Sequence, residues 1–202
     1  MSSREAIFGA IRAHLPKLER IAPLVPLFDT DLPPDLISVF GQALERMGGE
    51  LLTPDATEEL APAHAKLKDA KIVCSQVPEI VGNKSIGPET MPVDLADVDY
   101  GVVRAAFAVA ETGSVCLTEN ELGINTLGYL PQHLIVLLDP ADIVPNIHHA
   151  YRRHEFRKAS YAVFQTGPSA TADIEGVLIH GAQGVRSLSV LLLARAGRIQ
   201  SH

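Results

Sequence analysis

The feature that most constrains this fold is a set of short, wholly apolar runs separated by segments with helical spacing. The runs at 134–138 and 190–193 contain only leucine, isoleucine and valine, and strands that are apolar on both faces are typical of a parallel sheet covered by helices. Ahead of these runs, Ile37, Phe40 and Leu44 recur at spacings of three and four residues, which predicts a helix. The alternation predicts an α/β domain with an open, mostly parallel sheet and helices on both faces.

A proline-rich segment separates the first predicted helix from the rest of the chain. Apolar residues recur at helical spacing between residues 3 and 15, and Pro26, Pro33 and Pro34 follow in a stretch that is typical of a linker. We therefore expect two units. They are an N-terminal helical arm with its linker over residues 1–34, and an α/β domain over residues 35–202.

The overall charge is acidic, which excludes two large classes of partner. The chain has 17 Lys and Arg residues against 24 Asp and Glu residues, so its formal net charge is −7. Nucleic acids and anionic membranes both attract proteins through a positive field, so neither is expected as a partner. No apolar run is long enough to span a bilayer and no signal peptide is recognisable, which predicts a cytoplasmic protein with no membrane span.

The cysteines and histidines predict no metal centre. Cys74 and Cys116 are the only thiols and both lie in apolar runs, and two separate thiols cannot supply a disulfide framework, a cysteine zinc site or a complete iron–sulfur ligand set. A helix expected to begin near Asp142 carries His149, and His154 follows five residues later. Two ligands on one helical face need a spacing of three or four residues. We therefore expect no metal and no cofactor bound by this chain.

A first polar motif, Ala-Glu-Thr-Gly-Ser at 110–114, lies between two predicted strands. Glu111 at a strand end is a candidate nucleophile or general base. Thr112 and Ser114 offer hydroxyls as candidate ligand-binding groups, and Gly113, which allows a backbone conformation that other residues resist, is a ligand-binding candidate beside them. The alternative is a tight connection whose polar side chains only satisfy its own backbone.

A second motif begins at Thr166 and follows the predicted strand at 161–164. Gly167 leaves room for close approach of a ligand, and Ser169 or Thr171 is expected to cap a short helix whose free N–H groups attract anions. Asp173 lies in the first turn of that helix and completes the candidate ligand-binding set, although a well-capped helix alone would explain the same residues. Because ligands of open α/β sheets bind beyond the carboxyl ends of the strands, we expect both motifs at that edge of the central sheet.

The two motifs resemble a known family. Ala-Glu-Thr-Gly at 110–113, Leu-Pro-Gln-His-Leu-Ile-Val at 130–136, Gly-Pro-Ser at 167–169 and Asp-Ile-Glu at 173–175 are similar to segments of the lactate utilization protein C family, also called the LUD domain. The resemblance covers the C-terminal half of the chain. It implies a fold similar to the glucosamine-phosphate deaminase, ribose-phosphate isomerase and CoA-transferase group.

The resemblance also implies a function. It points to a cluster-free accessory subunit of a complex that oxidises L-lactate to pyruvate, with the iron–sulfur clusters held by cysteine-rich partner subunits. Two alternatives stay open. One is a stand-alone enzyme, CoA-transferase-like or acting on a small anion, that uses Glu111, and the other is a ligand-sensing or scaffold protein without chemistry.

Overall fold

The structure is a computed structural model that describes residues 2–15, 24–172, 179–180 and 183–195. The described helices are α1 (Ser3–Ala13), α2 (Leu36–Arg46), α3 (Ala61–Leu67), α4 (Glu119–Leu122), α5 (Ile147–Ala150) and α6 (His154–Lys158). The described strands are β1 (Glu50–Leu52), β2 (Val73–Ser75), β3 (Tyr100–Arg104), β4 (Phe107–Val109), β5 (Ser114–Thr118), β6 (His133–Leu138), β7 (Ile143–Val144), β8 (Ala162–Gln165), β9 (Ala170–Thr171), β10 (Ile179–His180) and β11 (Ser187–Leu192). None of the helices within these ranges is long and apolar enough to cross a membrane.

A five-stranded sheet forms the centre of the molecule. Its strand order is β1-β11-β6-β3-β2, and every neighbouring pair is parallel. The two apolar runs singled out in the sequence are its inner strands β6 and β11, which pair from Leu134 with Leu188 to Leu138 with Leu192. The mostly parallel central sheet predicted from the sequence is therefore confirmed.

The side chains of β6 show how the sheet is covered on both faces. Leu134, Val136 and Leu138 pack on one side with Phe40 and Leu44 of α2, whereas the alternate residues Ile135 and Leu137 pack on the other side with Ala63 of α3. Burying a leucine or isoleucine side chain fully contributes about 1.5–3 kcal/mol. The expected helices on both faces are present, and β6 supplies apolar contacts to both.

A second sheet of four strands, in the order β7-β4-β5-β8, was not predicted from the sequence. The strands β4 and β5 are joined by the four residues 110–113 and pair antiparallel, since a connection this short cannot carry the crossover that parallel neighbours need. One face of this sheet packs in the same core cluster as α2. The other face packs against α5 and α6, with Phe164 stacked on Phe156 at 5.4 Å between ring centroids.

The segment after β6 also differs from the predicted helix at Asp142. Asp142 ends a 3₁₀ turn, and the next two residues form β7 beside β4. Helix α5 begins only at Ile147, because the Asn146 side chain caps it by accepting hydrogen bonds from the N–H groups of His148 and His149. The apolar residues at 143–144 therefore serve a sheet rather than a helix.

The described part of the N-terminal arm includes an exposed helix and a segment that lies on α5. Helix α1 has no buried residue and is capped by Ser2. Residues 24–29, called the strap below, lie on α5. The carbonyls of Val25 and Leu27 accept hydrogen bonds from Arg152 and from Asn146, respectively. The division of the chain at residue 34 stays a prediction, but the strap is in contact with the α/β domain.

Candidate functional site

The first polar motif and Thr166, which opens the second motif, meet at one cleft. The cleft has a volume of about 470 Å³ and lies between the last turn of α2, the β4–β5 turn and the residue that follows β8. We call it the Glu111 cleft. It is lined by Ala43, Arg46, Met47, Glu111, Thr112, Ser114 and Thr166.

The cleft lies near the amino ends of two central strands, not at the carboxyl edge expected from the sequence. A Cβ placed on Gly49, just ahead of β1, would lie 3.2 Å from the Cα of Gly167. The N–H of Ser169 donates to the carbonyl of Val185, just ahead of β11. The carboxyl-edge rule applies to loops of the parallel sheet, whereas both motifs belong to loops of the second sheet, whose hairpin reverses the chain direction.

Gly113 serves packing of the motif against α2. Its φ is +67°, and a Cβ at this position would overlap the backbone of Ala43 and Leu44. A positive φ is a conformation that residues other than glycine resist. The β4–β5 turn can therefore lie directly on the last turn of α2 only with glycine here.

Gly167 makes the equivalent contact from the second motif. Its φ is +66°, and a Cβ would overlap the carbonyl of Met47 and approach the N–H of Gly49 to 3.1 Å. Both predicted ligand-binding glycines thus have a structural role behind the cleft wall. The end of α2 is therefore in close backbone contact with both motifs.

Three hydroxyl groups form a continuous row along one wall. The Oγ of Ser114 lies 2.7 Å from the Oγ1 of Thr112 and 2.5 Å from the Oγ1 of Thr166. Ser114 is buried, with 5% of its surface exposed, so the row is held between the two motifs. Each hydroxyl can both donate and accept, so the row can offer either function to a bound group.

Glu111 has an exposed carboxylate that is oriented by the start of α5. Its Oε2 accepts a hydrogen bond from the N–H of Ile147 at 3.2 Å, and its own N–H donates to the carbonyl of Pro145 at 3.0 Å. These contacts tie the β4–β5 turn to α5 and hold the carboxylate at the cleft. Its chemical role as nucleophile or base stays a prediction.

The remaining predicted residues lie elsewhere. The hydroxyl of Ser169 donates to the carbonyl of Gln183 at 2.8 Å, and Thr171 pairs with Ile179 in the antiparallel β9–β10 ladder. Neither is among the described residues that line the Glu111 cleft. Asp173 and the helix expected after it fall outside the described residues.

Four cleft residues, Ala43, Arg46, Met47 and Thr166, were not among the predicted site residues, and Arg46 is the charged one of the four. It is exposed at the last turn of α2 and lines the cleft. Among the described residues its guanidinium has no hydrogen-bond or ion-pair partner. The sequence signal is weak, because a cation in the last turn of a helix is common and already explained by the helix dipole.

The two thiols lie in different sheets. Cys74 is in β2 and Cys116 is in β5, and both are buried. Burial raises the pKa of Cys74 and raises the pKa of Cys116 to about 12. The described residues contain no group of three or more His, Cys, Asp or Glu side chains that could hold a metal ion.

Comparison with known proteins assigns the domain to a family. The model of the LUD domain matches residues 43–193, which include every residue that lines the Glu111 cleft. The chain belongs to the LUD domain family. The resemblance inferred from the two motifs is therefore confirmed.

Two relatives of this LUD domain protein carry a functional name, and a third is an uncharacterized protein. It is 29% identical over 145 residues to lactate utilization protein C of Geobacillus thermodenitrificans, covering 68% of this chain and 59% of that protein. It is 32% identical over 100 residues to lactate utilization protein C of Bacillus pumilus, covering 46% and 42%. It is 27% identical over 162 residues to an uncharacterized protein of Neisseria meningitidis, covering 78% and 66%. The chain therefore spans less than two thirds of the length of each of these relatives.

A solved structure supports the architecture. A DUF162 family protein from Deinococcus radiodurans superposes with a TM-score of 0.61 at 18% identity, over 78% of this chain and 95% of that chain. At this identity the likeness concerns the fold alone. It agrees with a LUD domain built on a mostly parallel central sheet with helices.

Proposed function

We propose that this LUD domain protein is a cluster-free accessory subunit of a cytoplasmic complex that oxidises L-lactate to pyruvate. The observation that carries the proposal is the family match over residues 43–193, together with relatives named lactate utilization protein C. These relatives support a role in lactate utilization generally. The complex, its subunits and the division of labour among them are the proposal.

The division of labour follows from the chemistry of the reaction and from the thiols of this chain. Oxidation of L-lactate to pyruvate releases two electrons and two protons, so an electron acceptor is required. A cysteine-ligated iron–sulfur cluster needs four thiolates, and this chain has two cysteines, buried in separate sheets. We therefore assign the clusters to cysteine-rich partner subunits and assign no cofactor to this chain.

We further place the domain with the glucosamine-phosphate deaminase, ribose-phosphate isomerase and CoA-transferase group. The five-stranded parallel sheet with α2 and α3 packed on opposite faces supports this placement. Fold alone does not assign a reaction. The placement explains the architecture, and the function rests on the family and on the Glu111 cleft.

A second candidate is a stand-alone enzyme that uses Glu111, and the place of that carboxylate in the cleft favours it. In this mechanism a carboxylate oxygen attacks an acyl thioester, an acyl–glutamate bond forms, and the CoA thiolate leaves. The test is mass spectrometry of the intact protein after incubation with acetyl-CoA. An added acetyl group on Glu111 would support the enzyme, and an unmodified chain would leave the accessory subunit as the account.

Growth on L-lactate tests the accessory subunit. A strain of the source organism that lacks this gene is grown with L-lactate as the only carbon source, with glucose as the control. We expect growth on glucose but not on L-lactate, and restoration by the intact gene. Normal growth of the deletion strain on L-lactate would overturn the proposed function.

A further inference from the structure

Helix α1 has the sequence of a packed helix, yet none of its residues is buried. The large apolar side chains on α1 and just after it are between 46% and 59% exposed; they are Ile7, Phe8, Ile11 and Leu15. A helix of eleven residues is marginal in water on its own, because most helical stability in proteins comes from packing of an apolar face. The apolar face of α1 therefore needs a partner surface.

The spacing of the apolar residues fits a pair of helices. Phe8, Ile11 and Leu15 recur at intervals of three and four residues, which is the spacing of the core positions in a coiled coil. The opposite side of the helix carries small residues, such as Ala6 and Ala10. The face is narrow, and its shape suits one other helix.

The charges beside this face indicate which helix fits it. Glu5 and Arg12 lie seven residues apart, so both flank the apolar face on the same side. If two copies of α1 pair antiparallel, with Phe8 of one copy opposite Ile11 of the other, Glu5 of each copy lies opposite Arg12 of the other. Opposite charges at flanking positions set the orientation of paired helices, and an antiparallel pair also aligns the two helix dipoles favourably. The surface is therefore complementary to itself.

We propose that α1 is a docking surface for a second copy of this chain, and that the two α1 helices pair antiparallel through Phe8 and Ile11. Each copy contributes the same surface, as in a two-fold symmetric dimer. Leu15 of one copy lies beside Arg4 of the other. The Arg4 guanidinium lies 5.5 Å from the ring centre of its own Phe8, so its alkyl stem can cover the end of the pair while its charge stays in water.

The contact is small, which sets the expected affinity. Interfaces that bury less than about 1,200 Å² are typical of weak association, and α1 offers one face of eleven residues. We therefore expect a dimer with a Kd of roughly 0.1 mM. The inference concerns neither the Glu111 cleft nor lactate, so it is independent of the proposed function.

Sedimentation equilibrium of the full chain tests the pairing. We expect the intact chain to change from monomer to dimer between about 10 µM and about 1 mM. Ile11→Asp places a carboxylate in the centre of the pair, so its Kd should rise at least about tenfold. The matched control Ala10→Asp adds the same charge on the opposite side of α1 and should dimerise like the intact chain. Deletion of residues 1–15 should leave a monomer.

Disulfide trapping tests the orientation. Phe8→Cys and Ile11→Cys chains are mixed under mild oxidation, and each variant is also oxidised alone. An antiparallel pair brings the two new thiols together only between the two variants, so the mixture should crosslink faster than either variant alone. The intact chain is the control for Cys74 and Cys116, which are buried. Faster crosslinking within one variant than between the two would refute the antiparallel pair.

Three outcomes of sedimentation would overturn the docking surface. They are a monomeric intact chain at about 1 mM, dimerisation of Ile11→Asp equal to that of Ala10→Asp, and a dimer that survives deletion of residues 1–15. Vesicles of phosphatidylcholine with phosphatidylglycerol probe a membrane as the alternative occupant. Vesicle binding that Ile11→Asp loses, by a chain that does not self-associate, would assign the face to lipid and overturn the inference. Each variant is also melted, and an unchanged melting temperature shows that the α/β domain is folded.

Discussion

At the scale of single residues, two glycines of the motifs have a packing role for which the sequence did not specify the partner. Gly113 and Gly167 both approach the backbone at the end of α2, and their place in a ligand-binding site stays a prediction. The sequence shows that glycine is present, and the positive φ explains why glycine is needed. Which partner lies opposite each glycine could not be predicted, because α2 is far away along the chain.

Replacement of Gly113 by alanine should destabilise the protein without any change in charge. The added Cβ would overlap backbone atoms and strain a positive φ, so we expect the free energy of unfolding to fall by about 1–3 kcal/mol in urea titration. Gly87→Ala is the control, because nothing lies within 4 Å of a Cβ at Gly87. Equal stability of the two variants would refute the packing role.

His133 should make stability depend on pH. Its Nδ1 lies 2.8 Å from the Oγ of Ser187 and its ring stacks on Tyr100 at 4.7 Å. Burial, followed by the positive charges of Arg186 and Lys66, lowers its pKa. The unfolded chain therefore binds the proton more readily, so the free energy of unfolding should fall as the pH drops below about 6.5 and level off below the lowered pKa.

The measurement for His133 is urea unfolding at a series of pH values between 7.5 and 5, in the intact chain and in His133→Gln. In His133→Gln the free energy of unfolding should fall less over this pH range than in the intact chain. A control replacement at the exposed His154 should leave that fall unchanged. An unchanged pH dependence in His133→Gln would show that burial does not hold this imidazole neutral. The lowered pKa values of Asp99 and Glu119, both caused first by backbone hydrogen bonds, act only at lower pH, near the ordinary carboxyl pKa and below.

At the scale of elements, the sequence predicted individual helices and strands well, but it did not predict how strands pair in the second sheet. The helix at α2 and the strands at β6 and β11 follow from spacing and apolar runs, which depend on neighbours along the chain. The second sheet was missed because the four-residue turn at 110–113 had to be recognised as an antiparallel hairpin. Helix α5 was placed too early because Asn146, a strong N-cap, was not weighed as a start signal.

Helix α1 should contribute little to the stability of the domain. None of its residues is buried, so deletion of residues 1–15 should change the free energy of unfolding by less than about 0.5 kcal/mol. A longer deletion, of residues 1–30, also removes the strap and its contacts with α5, including the ion pair of Asp29 with His149. The longer deletion should lower the melting temperature. A large loss in the shorter deletion would show that α1 packs on the domain.

At the scale of the whole molecule, the candidate site joins three segments that are distant in sequence. Glu111, Thr112 and Ser114, which the sequence singled out, line the cleft together with Thr166 from the start of the second motif, and their role in binding stays a prediction. The sequence could not predict that Arg46 joins them, because that contact depends on how α2 packs over both sheets. It also placed the site at the wrong edge, since the rule for parallel strands was applied to loops of a hairpin sheet.

The purified chain should contain no stoichiometric iron. Its two thiols are buried in separate sheets, and burial raises the pKa of both, so neither is poised as a thiolate ligand. Elemental analysis measures iron, and a thiol reagent near pH 8 should react with the native chain slowly and with both cysteines after unfolding in urea. Iron at the level of a cluster per chain, retained through gel filtration, would contradict the assignment of clusters to partner subunits.

The most direct test of the account is growth of the deletion strain carrying Glu111→Gln in place of the intact gene. Glutamine can still accept the hydrogen bond from Ile147, so the melting temperature and the abundance of the protein should be unchanged. We predict that growth on L-lactate is lost or strongly slowed, whereas the control Glu45→Gln, at an exposed position near the end of α2, grows normally. Growth of Glu111→Gln at the rate of the intact gene, with normal abundance, would contradict a role of the Glu111 cleft in lactate utilization.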